Sequence, residues 1–417
     1  MSYEDYAARI ADSGVITDPW LDGRPRFREE PLVISRARAA ELARAAEDLA
    51  FAYNELVLRV ADAGDAVLEG FFGLTPWQRR MFHMGTHLWH GIARADLFFT
   101  AEGIATTELN SDTPTGEAEA CVTGALAHAA LSGPEAERLR DPNVHLREAF
   151  LSVVEGMAHA LLDGAYPRTV GLVYPTEFVE DLSVVRLYRS WLEGAGYTVV
   201  LGSPFNLRSG PQGTVELFGQ RVSVVLRHYK TDWWGERQAA FDDEELEDTQ
   251  ALEEELTLLA EAEIARTVAV VNPFGAVVPQ NKRAMAFFWE QIHRFSPRTQ
   301  DIVRRLVPPT FRLERRSAEE LVRERESWVL KSDYGAEGDE VIIGRHVSAE
   351  LFRASLDHAR KGRWVAQRYF EPKLDEAGLT TNYGVFVCGG RACGLYARMH
   401  PGMTDEHALS VPLLVGD

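Results

Sequence analysis

RADLFFTAEGIATTELN, running from Arg94 to Asn110, is the stretch from which the rest of the chain can be read. Two β-prone runs flank the short polar turn Ala101-Glu102-Gly103, which predicts a hairpin. If the turn centres on Glu102, an antiparallel register sets Asp96 opposite Glu108 and Arg94 opposite Asn110. Side chains two apart on a strand share a face, so all four project together. Two carboxylates and an amide oxygen this close are hard to leave unpaired, because the like charges repel and raise a pKa unless a cation lies between them. Oxygen donors of this kind suit Mg2+, which keeps waters and shares phosphate oxygens with a nucleotide. On geometry alone a surface hairpin with an Arg–carboxylate pair is the alternative, and both readings stand at this point.

A second stretch bears on the choice. Trp328-Val329-Leu330-Lys331 is a strand ending in a lysine, and Ser332 to Gly338 forms a turn with glycines at 335 and 338. Amides of such a turn can close over phosphates while the lysine supplies a point charge. Between the two stretches, Thr169–Tyr174, a helical period from Phe178 to Leu192 and Tyr197–Leu201 predict a β-α-β unit. Thr214–Phe218 and Arg221–Tyr229 predict a hairpin about Gly219-Gln220, and Thr267–Val271 a further strand ended by Asn272-Pro273-Phe274-Gly275. Towards the N-terminus, Ser35 reads as an N-cap for a long helix with Leu42, Leu49, Tyr53, Leu56 and Val60 on one face. Pro76 starts a second helix, and Asn143 to Leu162 a third. The acid-rich segment Asp242 to Glu263, with Leu246, Leu252, Leu256 and Leu259, predicts a helix with a solvated face. Trp328–Lys331, Glu340–Ile343, Trp364–Phe370 and a hairpin at Gly389-Gly390 make the last third β-rich.

Composition narrows the partners. At about 150 residues per domain, 417 residues suggest two or three domains with cores large enough to need no disulfides. Cys121, Cys388 and Cys393 form no C-x-x-C pair, which points to a reducing compartment. Asp and Glu number 63 against 44 Lys and Arg, giving a net charge of −19, which argues against nucleic acid or an anionic membrane as the main partner and suits a cationic substrate. The polar opening Met1-Ser2-Tyr3-Glu4-Asp5-Tyr6 and the absence of any run of about 18 apolar residues predict a cytoplasmic location. Oligomeric state is not legible.

Three motifs together resemble the glutathionylspermidine synthase family of ATP-grasp ligases: Glu108-Leu109-Asn110-Ser111-Asp112-Thr113-Pro114-Thr115, Asn281-Lys282-Arg283-Ala284 leading to Phe288-Trp289-Glu290, and Lys331 with Gly335-Ala336-Glu337-Gly338. The resemblance spans Trp77 to the C-terminus, with the metal segment ahead of the nucleotide lysines. It implies an α/β (α+β) fold, ATP-grasp-like with permuted order plus a pre-ATP-grasp-like β-α-β domain. The expected division is 1–165 for the N-terminal helices and metal hairpin, 166–275 for a substrate domain and 276–417 for the nucleotide-binding part. It further implies Mg2+ on Asp96, Glu108 and Asn110, and ATP contacts from Arg94, Asp96, Lys282, Lys331, Glu337, Gly338, Gln367, Arg368, Tyr369, Phe370 and Asn382. Arg94 and Arg398 would be the catalytic arginines, and Thr113, Glu180, Asp181 and Thr231 would face the substrates. The implied reaction is ATP-dependent joining of a small-molecule carboxylate, such as a peptide, to a polyamine-like amine, giving ADP and phosphate. The chain has Ala336 where the family usually carries an arginine.

Two other readings compete. A degenerate grasp protein would bind nucleotide without ligation, which Ala336 makes credible. His83, His87 and His90 at i, i+4 and i+7 would share a helix face and could form a zinc hydrolase site, although Met81, Leu88 and Trp89 surround them and no water-activating acid stands at a recognisable spacing.

Overall fold

Ser35 caps the helix Arg36–Ala63, its hydroxyl accepting from the Arg38 amide at 3.2 Å, and Leu42, Leu49, Tyr53, Leu56 and Val60 are all buried along it. Thr75 caps Pro76–His83 in the same way, with Pro76 in the first turn. The computed structural model describes residues 2–84, 91–176, 179, 181–236, 251–335, 340–402 and 408–417.

The long helix covers one face of a five-stranded antiparallel sheet. The order is Leu409–Val411, Arg391–His400, Thr380–Cys388, Ile92–Phe99, Ile104–Asn110. The early hairpin is thus completed by strands from the far end of the chain, the permuted arrangement expected. Period-two alternation sorts the two faces. Ala93, Ala95, Leu97, Val385, Leu395 and Ala397 enter the core under the helix, so Arg94, Asp96, Asn382 and Arg398 line the opposite face. The predicted pairs Arg94–Asn110 and Asp96–Glu108 are present. The turn, however, is not centred on Glu102. Phe99 pairs with Ile104 and Leu97 with Thr106, and Thr107 bulges out to bring the acids back into register.

A second antiparallel sheet has the order Thr310–Arg312, Trp364–Arg368, Trp328–Ser332, Val341–Ile343. Trp328, Leu330, Trp364 and Ala366 pack on Phe352 and Leu356 of the helix Ala349–Ala359. Lys331 and Gln367 therefore stand on the other face.

The third sheet is parallel, in the order Ala269–Val271, Val224–Arg227, Thr169–Val173, Thr198–Gly202. Helices Leu146–Leu161 and Leu182–Gly194 cover one side. The β-α-β unit is as expected; its helix is Leu182–Gly194, the expected start at Phe178 lying outside the described residues, and the preceding helix begins at Leu146 rather than Asn143. The expected strand Arg221–Tyr229 is split. Gln220–Val222 pairs with Val215–Leu217, whereas Val224–Arg227 joins the parallel sheet. Ser223 separates them, its amide bonded to the Thr169 carbonyl at 3.0 Å. In the acid-rich segment the helix Glu253–Ile264 presents Glu253, Glu254 and Glu261 outward and buries Leu256 and Leu259, with Leu252 just before it, against this sheet, while Glu263 turns inward to accept from the Val270 amide at 3.2 Å. Leu246 lies outside the described residues. Among the described residues no helix is long and apolar enough to cross a membrane.

Candidate active site

The acids of the hairpin and the late lysines meet. Arg94 grips Asp96 with two bonds, Nε to Oδ1 at 2.7 Å and Nη2 to Oδ2 at 3.0 Å, and its Nη1 donates to the Thr115 carbonyl at 2.6 Å. Arg398 stands 3.8 Å from the same carboxylate. Glu108 lies 3.3 Å from Lys282 Nζ, which also donates to the Gly335 carbonyl. Lys331 Nζ donates to the carbonyl of the bulged Thr107 at 3.2 Å, so the bulge aims a backbone oxygen at the second sheet. Asn110 Nδ2 donates to Glu108 Oε1 at 3.4 Å, leaving its amide oxygen as what it could offer a cation.

Electrostatics follow from burial and count. Burial works against the charge on Glu108, but Lys282, Lys331 and Arg94 win and hold it ionised, down to about 2. Burial and Lys282 bring Lys331 down to about 8 despite Glu108 and Asp96. Four cationic side chains, Arg94, Arg398, Lys282 and Lys331, thus gather around two carboxylates, Asp96 and Glu108. The surplus is positive inside a chain whose net charge is −19.

Asp96, Glu108 and Asn110 are a hard oxygen set, with Glu108 ionised as a ligand must be, and so fit Mg2+ that retains waters. Among the described residues no three His, Cys, Asp or Glu side chains converge into a complete metal cage. Asn382 pairs with Arg398 across the ladder, and its Oδ1 is buried without a hydrogen-bond partner among the described residues.

The other expected residues divide. Gln367 shares the face of Lys331, but its amide donates to Thr310 Oγ1 at 3.1 Å. Arg368 points to the opposite face, over the Trp328 ring at 4.0 Å and bonded to Glu324 at 3.2 Å, so it can offer the cleft only backbone. Tyr369 lies beneath Arg345 and Phe370 against Phe98 at 5.6 Å. Thr113 lines a small cavity with Ile92, Tyr188, His228 and Asn272. Asp181 lies 3.4 Å from His228 Nε2; burial opposes its charge, yet His228 and Lys230 hold its carboxyl below the usual range. Thr231 is fully buried, donating to Asp112 Oδ2 from its amide at 2.6 Å and its hydroxyl at 3.1 Å, so that hydroxyl fastens Asp112. Glu180, Glu337 and Gly338 lie outside the described residues, as do His87 and His90. His83 is exposed and pairs with Asp65 at 2.7 Å.

Sequence reasoning missed Asp112, Arg227 and Asn272. Arg227, buried in an apolar strand, donates to Asp112 Oδ1 and to the carbonyls of Tyr229 at 2.6 Å and Asn272 at 3.2 Å. Asn272 bonds both backbone groups of Ile92, accepting at 2.8 Å and donating at 2.9 Å, and donates to the Asp112 carbonyl at 2.6 Å. The signal was an arginine inside a valine-rich run, since a buried charge needs a partner.

Gly384 faces Asp96 across the ladder, and Arg94 lies over it; a Cβ there would meet Arg94 Cδ at 2.8 Å. Gly384→Ala is expected to displace Arg94 and lower turnover roughly tenfold to a hundredfold while the fold persists; steady-state rates with a thermal melt check this, and unchanged rates would refute it.

Two antiparallel sheets holding basic side chains and a carboxylate pair between them, with a parallel β-α-β sheet alongside, define an ATP-grasp-type synthetase fold. The chain is similar to a glutathione synthetase-like effector from Globodera pallida in its apo form, with TM-score 0.60 and 11% identity, over 98% of this chain and 95% of that one. It also matches a structure assigned as a γ-glutamylcysteine synthetase from Methylobacillus flagellatus, with TM-score 0.48 and 13% identity, over 92% and 88% of the two chains. No curated protein matches significantly. The chain belongs to the glutathionylspermidine synthase preATP-grasp family, whose model matches residues 4–416.

Proposed function

We propose that this protein is an ATP- and Mg2+-dependent carboxylate–amine ligase acting through an acyl phosphate, with a peptide-like carboxylate and a polyamine-like amine as substrates. The single observation that supports it most is the buried surplus of positive charge around Asp96 and Glu108. Such a surplus is costly unless an anion enters it, and a triphosphate brings about four negative charges. Lys282 and Lys331 would hold the phosphates, and Arg398 and Arg94 would face the phosphoryl group in transfer. Asp96, Glu108 and Asn110 would hold Mg2+, whose charge would offset that of the phosphates. The carboxylate takes the γ-phosphoryl group, and a neutral amine then displaces phosphate; the chain's part is positioning and charge neutralisation. Asp181 would favour a cationic amine.

A phosphate-release screen of carboxylate and amine pairs, with mass detection of the product, tests the reading. ATP hydrolysis or binding with no coupled product across a broad panel would favour nucleotide binding without ligation. Glu108→Gln should lower Mg2+-dependent turnover roughly a hundredfold or more with little change in the thermal midpoint; retained Mg2+-dependent activity would remove the metal assignment.

A further inference from the structure

Glu117 opens the helix Glu117–Ala129 just past the Thr115 carbonyl that Arg94 holds. It is 1% exposed. Its Oε1 accepts from the Tyr188 hydroxyl at 3.0 Å, whereas its Oε2 is buried with no hydrogen-bond partner among the described residues. A buried carboxylate oxygen left without a partner is costly, so its retention points to a visiting donor. Tyr188 in turn lines the small cavity with Thr113 and His228, and His228 contacts Asp181. The half-used carboxyl is thereby tied to the cavity wall where the substrate-side residues gather.

Resting on the ligase reading, we propose that Glu117 is the proton acceptor for the attacking amine. The substrate arrives as an ammonium ion. Its N–H bond breaks towards Glu117 Oε2, leaving the electron pair on nitrogen. That pair forms the C–N bond to the acyl carbon as the C–O bond to phosphate breaks, and phosphate departs with the C–O electrons. The second proton on nitrogen passes to the phosphate or to water, and Glu117 returns its own proton to solvent before the next turnover.

The surroundings give Glu117 the affinity this task needs. Burial pushes its carboxyl up to about 7, while Arg94, Tyr188 and His228 pull the other way. Cys121 on its own helix and Cys388 on the neighbouring sheet also face it. A base with affinity near the working pH is both free to accept and strong enough to do so.

The test compares two nucleophiles in wild type and Glu117→Gln: an alkyl polyamine, cationic at neutral pH, and hydroxylamine, already neutral there. The substitution is expected to slow ligation of the polyamine roughly hundredfold and of hydroxylamine by only a few-fold, with the KM for ATP unchanged. The acidic limb of the wild-type polyamine profile, near pH 7 by the affinity above, should be missing in the variant. Tyr188→Phe keeps the acid but removes the donor that lowers its affinity, so the limb should move to higher pH. Equal slowing with both nucleophiles, or an unmoved limb in both variants, would overturn the assignment while leaving the ligase intact. A wild type inert with every nucleophile would overturn the ligase reading and this inference with it.

Discussion

Lys331→Met is expected to reduce ATP-dependent turnover roughly a thousandfold and, in the same protein, to raise the thermal midpoint. The lysine is 6% exposed and its bonded partner is the Thr107 carbonyl. A cation so placed against a phosphate at about 4 Å, with an effective dielectric near 20, is worth about 4 kcal/mol, which is near three powers of ten in binding or rate. Without phosphate the same charge is a burden. Burial brings its proton affinity down from 10.5 to about 8. A lysine with a folded value below its unfolded value destabilises the fold when charged in both states. That penalty is complete below about 8 and fades as pH rises from about 8 to 10.5. Wild type should therefore gain stability over that window by an amount on the order of a few kcal/mol from this residue, and Lys331→Met should lack that gain. Calorimetry for ATP affinity and thermal melts across the window check both halves. A variant that binds ATP as well as wild type would remove Lys331 from the phosphate site.

The largest loss of stability is expected from Asp112→Asn. Asp112 takes the Arg227 guanidinium on one oxygen and the Thr231 amide and hydroxyl on the other, with both side chains of the ion pair almost wholly buried. Removing the acid's charge strands an arginine cation inside the third sheet, at about 3–5 kcal/mol. The double variant Asp112→Leu with Arg227→Met removes the stranded charge, and should recover a large part of the loss. Urea denaturation of the wild type, single and double variants measures this, and an unchanged single-variant midpoint would contradict it. Thr113 follows Asp112 directly, so the single variant should also loosen the cavity wall where the acyl substrate is proposed to lie.

How far these features were legible depends on the distance over which each is encoded. The hairpin was readable because its signal is local: polar side chains at period two on either side of a turn. The bulge at Thr107 was not, since nothing in Ala105-Thr106-Thr107-Glu108 says which residue drops out of the ladder; the pairing of Asp96 with Gly384 settles it from the other side. The meeting of Glu108 with Lys282 and Lys331 is invisible to spacing, and only the set of motifs suggested it. Arg227 and Asp112 are 115 residues apart, so the arginine could be recognised as needing a partner but not matched to one. Val224–Arg227 was assigned to a hairpin because its alternation reads equally well in either sheet, and Ser223 decided otherwise. In the acid-rich helix both faces were legible, because the leucines recur at helical spacing among the glutamates, and Leu252, Leu256 and Leu259 do anchor it. Arg368 shows the opposite limit: its place in the chain was read correctly as a strand residue, but face assignment needs the register with Trp328.

The bulge at Thr107 also uncouples the loop at the ribbon's tip from the acids at its base. Register on the acid side is fixed by Asp96 against Gly384 and by Glu108 against Lys282, whereas register on the loop side is fixed by Thr100 against Gly103. Lengthening or shortening the chain at Ala101-Glu102 therefore changes the crest of the ribbon without sliding one carboxylate past the other, and the crest is free to diverge while the base stays fixed.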